Sequence, residues 1–216
     1  MTENLGREQE LKSKFNKVIK TVLESKIGND LEDDDFYGKI SFEGLVELKK
    51  AISHINNIIT LKVTNCFISK LQEGGVISHD QEIEMKQKVN EISANANGYD
   101  IRYEAKKILA EVKCNIPVNG NTFGSKQEEG IIYDIDGLLN GKTKGSVENT
   151  SEYYKFMVFL NANGVQESVK KILNKPDKHY EGKFDYYTNA DGFIQIEKDK
   201  LSMKKVYIVF ISEKTK

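Results

Sequence analysis

Within Gly98–Pro117, GYDIRYEAKKILAEVKCNIP, charged side chains interrupt a run otherwise rich in Ile, Tyr, Val and Leu. Alternate side chains of an extended strand share a face. Asp100, Arg102 and Glu104 therefore group on one strand, and Leu109, Glu111 and Lys113 on the next. A hairpin turning between Ala105 and Lys106 sets Asp100 directly opposite Glu111, with Cβ atoms ~5 Å apart. Like charges so placed repel, and the pair calls for either a shared proton or a cation between them. Two carboxylates at this spacing suit Mg2+, a hard cation that takes one or two carboxylates together with waters and phosphate oxygens. Lys113, two residues on, points the same way and reaches an anion or water bound there. Such a group suits hydrolysis of a phosphodiester. The cation would polarise a phosphoryl oxygen and acidify a water, and the lysine would position that water and offset charge growing in the transition state.

The bare string Asp/Glu-x-Lys carries little weight in so lysine-rich a chain. It occurs seven times, starting at Glu10, Glu24, Glu47, Glu84, Glu104, Glu111 and Glu181, where chance alone gives roughly five. Only the string at Glu111 lies in an apolar run, behind Ile108-Leu109-Ala110 and interleaved with Val112 and Cys114. Only it has an aspartate eleven residues upstream, on a segment able to pair with its own strand. Charges that interrupt a buried strand need a reason, because an uncompensated one is costly. The plain alternative is a solvated face with Lys113 in a surface salt bridge.

The elements that must position these residues can be read from periodicity. Apolar spacing predicts helices over 11–27, over Phe42–Leu71 with Ser41 as N-cap and Gly74-Gly75 as the stop, and over Asp80–Ala94. The acidic stretch 30–35 between the first two reads as a loop. After the Asn95–Gly98 break the period changes. Tyr99–Glu104 and Ile108–Ile116 read as strands, Ser125–Asn140 as a helix with Ile131, Ile135, Leu138 and Leu139 on one side, and Tyr153–Leu160 as a buried central strand. A short helix over Gly164–Leu173, a hairpin of Lys183–Tyr187 with Phe193–Glu197, and a buried strand Val206–Ile211 complete the order. The expected fold is a single α/β domain over 1–216, with a helical N-terminal region (1–95) and a mixed-sheet core (96–216).

The pattern Asp100-x10-Glu111-Val112-Lys113, followed by a helix, an apolar strand and a second helix, resembles the PD-(D/E)xK signature of restriction-endonuclease-like nucleases. The similarity spans roughly 98–173. It implies a mixed β-sheet flanked by helices, Mg2+ held by Asp100 and Glu111, and Lys113 assisting the attack. Tyr99 stands where the family's proline precedes the aspartate. In many members a helical glutamate joins the site, for which Glu43 and Glu47 are the candidates. Arg102 shares the face of Asp100, and Lys126 and Gln127 open the following helix, so these three are candidate DNA contacts; Arg102 pairing with Glu104 is the plainer reading. The resemblance implies a Mg2+-dependent endonuclease cutting double-stranded DNA, of the type II restriction kind, and a homodimer, since cutting both strands calls for two sites. The alternative is a nuclease fold without catalysis, acting as a nucleic-acid-binding or regulatory module.

Composition narrows the field without choosing within it. The chain of 216 residues carries 32 basic and 33 acidic residues, a net charge of −1, so no global basic footprint points to nucleic acid. Only Arg7 and Arg102 are arginine, which leaves few of the usual forks onto guanine. No apolar run is long enough to span a membrane, the opening MTENLGREQELKSK is polar, and the two cysteines form no framework, so a cytoplasmic protein is expected. Other motifs fall short. Asn140-Gly141-Lys142-Thr143 imitates the end of a phosphate loop, but Asp136 stands where its first glycine belongs. Asn189–Gly192 lacks the flanking ligands of a calcium loop, and His54, His79 and His179 do not group as a ligand set.

Overall fold

The computed structural model of the chain describes residues 41–91, 98–117, 120–143, 147, 149–175, 182–187, 196, 198 and 201–212, with isolated positions 9 and 13. The helix expected over 11–27, the acidic stretch 30–35 and the turn 189–192 lie outside the described segments. The chain divides into two compact units, Met1–Leu61 and Lys62–Lys216. The division falls inside the long helix α1 (Phe42–Glu73). Its start is capped as expected, the Gly44 N–H donating to Ser41 Oγ at 3.1 Å. Its end is closed by glycine: Gly75 has φ +70°, its N–H donates to Gln72 O, and the Val76 N–H donates to Leu71 O, both at 2.9 Å.

In the first unit the described part is the opening of α1, where Ala51 and Leu61 are buried and Phe42, Leu45, Val46 and Ile52 are exposed. The second unit holds the rest of α1, α2 (His79–Glu91), α3 (Ser125–Asn140), α4 (Val165–Leu173) and a five-stranded mixed sheet. The strands are β1 (Ile101–Tyr103), β2 (Ile108–Lys113), β3 (Tyr154–Leu160), β4 (Phe184–Tyr187) and β5 (Val206–Ile211). Their spatial order is β1-β2-β3-β5-β4; β1 runs antiparallel to β2, and every other neighbour is parallel. No described helix is long and apolar enough to cross a membrane.

Parallel strands covered on both faces are apolar throughout, which is why YKFMVFL and VYIVFI interrupt their runs so little. On one face Phe156 packs between Phe67 of α1 and Tyr207 of β5, at ring distances of 5.1 and 5.7 Å. On the other, Leu109, Met157, Phe159, Ile208 and Phe210 form one core with Ile131, Ile135 and Leu138 of α3 and Val165, Val169 and Ile172 of α4. Lys155 breaks the β3 run. Its buried ammonium donates to the carbonyls of Thr150 (2.9 Å), Tyr153 (3.1 Å) and Met203, and burial lowers its pKa to about 8.

Helix α3 has the expected bounds, and β3, β5 and α4 agree with expectation to within a residue. Two expectations need correction. The first strand is shorter than Tyr99–Glu104 because Glu104–Lys106 forms a 3-10 turn, closed by the Lys107 N–H on Glu104 O (3.1 Å), with Lys107 left-handed at φ +52°. The second ends at Lys113 rather than Ile116, its last pair with β3 being Lys113↔Phe159. The strand Phe184–Tyr187 pairs in parallel with β5; of the hairpin partner expected at 193–197, only Ile196 is described, and it is not in a strand.

Candidate functional site

The site is built where β1 and β2 begin to diverge. The observed pairs Ile101↔Ala110, Arg102↔Leu109 and Tyr103↔Ile108 are the expected hairpin register, and one step further the same register sets Asp100 against Glu111. Asp100 lies in the bend before β1, and its Oδ2 accepts the Val112 N–H at 2.8 Å, so the carboxylate carries the ladder one bond further. Glu111 is 4% exposed on a strand whose other face is wholly apolar. Its face is the one covered by α3, and that is where its partners come from.

Helix α3 presents Asp134 to the sheet, one helical turn from Ile131 and next to Ile135, all three buried. The loop after α3 returns Lys142 across the same surface. Lys142 Nζ donates to Glu111 Oε1 and to Asp134 Oδ1, each at 2.6 Å, and Lys113 Nζ forms an ion pair with Asp134 Oδ2. Two carboxylates and two ammoniums are thus bonded together, with Asp100 joined to them through its charge; the Lys142, Glu111 and Asp134 side chains are each less than a tenth exposed. The Tyr99 hydroxyl donates to the Gly137 carbonyl at 3.0 Å, fixing the start of the hairpin to α3.

Electrostatics follow from this crowding. Burial, and then the neighbouring charges of Asp100 and Asp134, push the Glu111 carboxyl up to about 8 in spite of Lys142. Asp100 is also raised, by burial first and by Asp134, against the pull of the Val112 N–H and the two lysines. Burial works against the Lys142 ammonium, but its bonds to Asp134 and Glu111 outweigh this and raise its pKa. The opposed carboxylates therefore meet both remedies open to them, a retained proton and a cation, and that cation is a lysine of the chain itself.

The remaining candidates are placed as follows. Arg102 Nε is 2.6 Å from Glu104 Oε1, the plainer of its two readings. Lys126 is exposed and paired with Glu129 at 2.7 Å. Gln127 accepts the Gly124 N–H through Oε1 at 3.0 Å and so caps α3. Glu43 and Glu47 stand in the first turns of α1, in the first unit, Glu47 paired with Lys50 at 2.6 Å.

Two members of the network, Asp134 and Lys142, are missing from the sequence reading. Asp134 had a signal, for it falls on the stripe defined by Ile131, Ile135 and Leu138, where a charge is out of place. Lys142 has none beyond the incomplete phosphate-loop resemblance of Asn140-Gly141-Lys142-Thr143. Among the described residues no group of three or more His, Cys, Asp or Glu side chains stands in a metal-ligand arrangement. No family model matches the chain, and neither does any curated protein or solved structure.

Proposed function

We propose that the chain is a metal-dependent endonuclease with a restriction-endonuclease-like fold, acting on DNA through Asp100, Glu111 and Lys113. The observation that carries this reading is Glu111, a carboxylate buried within β2, an interior strand of the sheet, beside the charges of Asp100 and Asp134, with two lysines reaching the same spot. A charged cluster in the middle of a core lowers stability relative to apolar packing, and perturbed carboxylates of this kind gather at sites of chemistry. Asp100 Oδ1 and Glu111 Oε2 accept no hydrogen bond among the described residues. An all-oxygen donor set with two carboxylates fits Mg2+, and these two residues would hold it. When bound, the ion supplies a Lewis acid for a phosphoryl oxygen and for a water. Lys113, oriented by Asp134, donates to the attacking water or to the phosphate oxygen as charge develops there.

Double-stranded DNA as substrate, a restriction role and a homodimer belong to the same reading. A plasmid-cleavage assay with Mg2+ or with EDTA tests it. Discrete fragments from the wild type, lost with EDTA and with Glu111→Ala or Lys113→Ala, are expected. Undiminished Mg2+-dependent cleavage by both variants would refute the site.

One observation favours a second reading. Lys142 and Lys113 already partner Glu111 and Asp134 without a metal, as in a nuclease fold that binds nucleic acid without cutting it. That reading predicts DNA binding indifferent to Mg2+ and to Asp100→Asn, with the salt dependence that phosphate contacts impose.

A further inference from the structure

Lys142 reaches the carboxylates by an unusual path. Gly141, at φ +92°, ends α3, and its N–H donates to Gly137 O at 2.9 Å, so the chain reverses there. The lysine stem then lies over Gly137: a β-carbon at that position would stand 2.6 Å from both Cγ and Cε of Lys142. Glycine inside a helix is destabilising relative to alanine, and here it leaves the slot the stem occupies. The ammonium ends between two carboxylate oxygens, Glu111 Oε1 and Asp134 Oδ1, and two aromatic rings, Tyr99 and Tyr133, whose centroids are 5.4 and 5.6 Å away. This is a complete seat for a cation. Tyr133 is 63% exposed, so one wall of the seat borders solvent.

We infer that Lys142 is the resident counter-cation of the carboxylate network, and that a divalent cation binds there only as the Lys142 ammonium withdraws. The inference rests on the metal-site reading above. Fully ionised, the three carboxylates and two ammoniums of the network carry a net charge of −1. With Lys142 withdrawn they carry −2, which one divalent cation balances. The two exclude each other by charge: the ammonium is already bonded to Glu111, the carboxylate that a metal would share, and two cations a few ångströms apart in a buried site repel strongly. A long flexible stem beside solvent gives the lysine somewhere to go. The Gly137 slot holds the metal-free arrangement, and the fraction of molecules with Lys142 withdrawn scales the apparent metal affinity.

The test uses the full chain with magnesium chloride as probe and two readouts. Calorimetric titration compares the wild type with Lys142→Met and with Gly137→Ala, which keeps every charge but places a methyl group in the slot. Both variants are expected to bind Mg2+ about tenfold more tightly or better, as withdrawal is no longer required. In the wild type, acetylation by acetic anhydride mapped by mass spectrometry should leave Lys142 unmodified without Mg2+ and label it at saturating Mg2+; this arm needs no variant to fold. Saturation of the wild type by Mg2+ with Lys142 still protected, or no gain in affinity in either variant, overturns the inference while leaving the metal site standing. Binding to the variants alone supports it in its strongest form. Absence of Mg2+ binding in all three proteins overturns both the inference and the metal-site reading.

Discussion

Glu111 offers the sharpest test of the energetics because its carboxyl is displaced so far from the ordinary value, 4.5, to about 8. Between those two values the folded protein keeps a proton that the unfolded chain has released. Folding is then coupled to proton uptake, and stability falls as pH rises through the window. The contribution is complete below pH 4.5 and is lost as pH passes about 8. The slope is about 1.4 kcal/mol per pH unit, with a total on the order of 5 kcal/mol across the window. Glu111→Gln keeps the shape of the protonated acid and removes the titration. Urea unfolding of wild type and variant in EDTA, between pH 5 and pH 8, should show the stability of the variant relative to wild type rising steadily with pH. Asp100, also raised by burial, slopes both proteins the same way and leaves the difference to Glu111. A difference that stays flat over this range would refute the burial and charge-crowding account of the site.

Further outcomes follow from the surrounding structure. Lys155, lowered to about 8 by burial, takes up a proton on unfolding between about 8 and 10.5, so the wild type should gain stability over Lys155→Met as pH rises through that interval, read by urea midpoints. Gly164→Ala should cost about 3 kcal/mol in the same assay, because φ is +77° and the added Cβ would stand 1.5 Å from the Gly120 carbonyl oxygen, with backbone on both sides and no rotamer to relieve it. Phe156→Ala empties the space between Phe67 and Tyr207 and should lower stability by about 4 kcal/mol, measurable by thermal or urea unfolding.

Local chemistry made much of this protein legible in the sequence. Side-chain alternation and a turn between Ala105 and Lys106 were enough to pair β1 with β2 in the observed register, because a slip of one residue would turn every apolar side chain to the wrong face. The 3.6-residue period bounded α3 at Ser125 and Asn140, and the glycine pair Gly74-Gly75 marked the stop of α1 after Glu73. The opposition of Asp100 and Glu111 followed from the register alone. Tertiary structure decided the rest. The placement of β5 between β3 and β4 depends on how buried strands meet across long connections, for which continuous apolar runs hold no order. Asp134 carries a trace of its role in its helical phase, but only the docking of α3 on β2 brings it to Lys113. Lys142 carries none. Its ammonium meets Glu111 because Gly141 reverses the chain and Gly137 leaves room for the stem, two backbone facts whose consequence lies 31 residues away in sequence. A strand pair is specified by neighbours a few residues apart, whereas a buried ion network is specified by the surfaces that close over it.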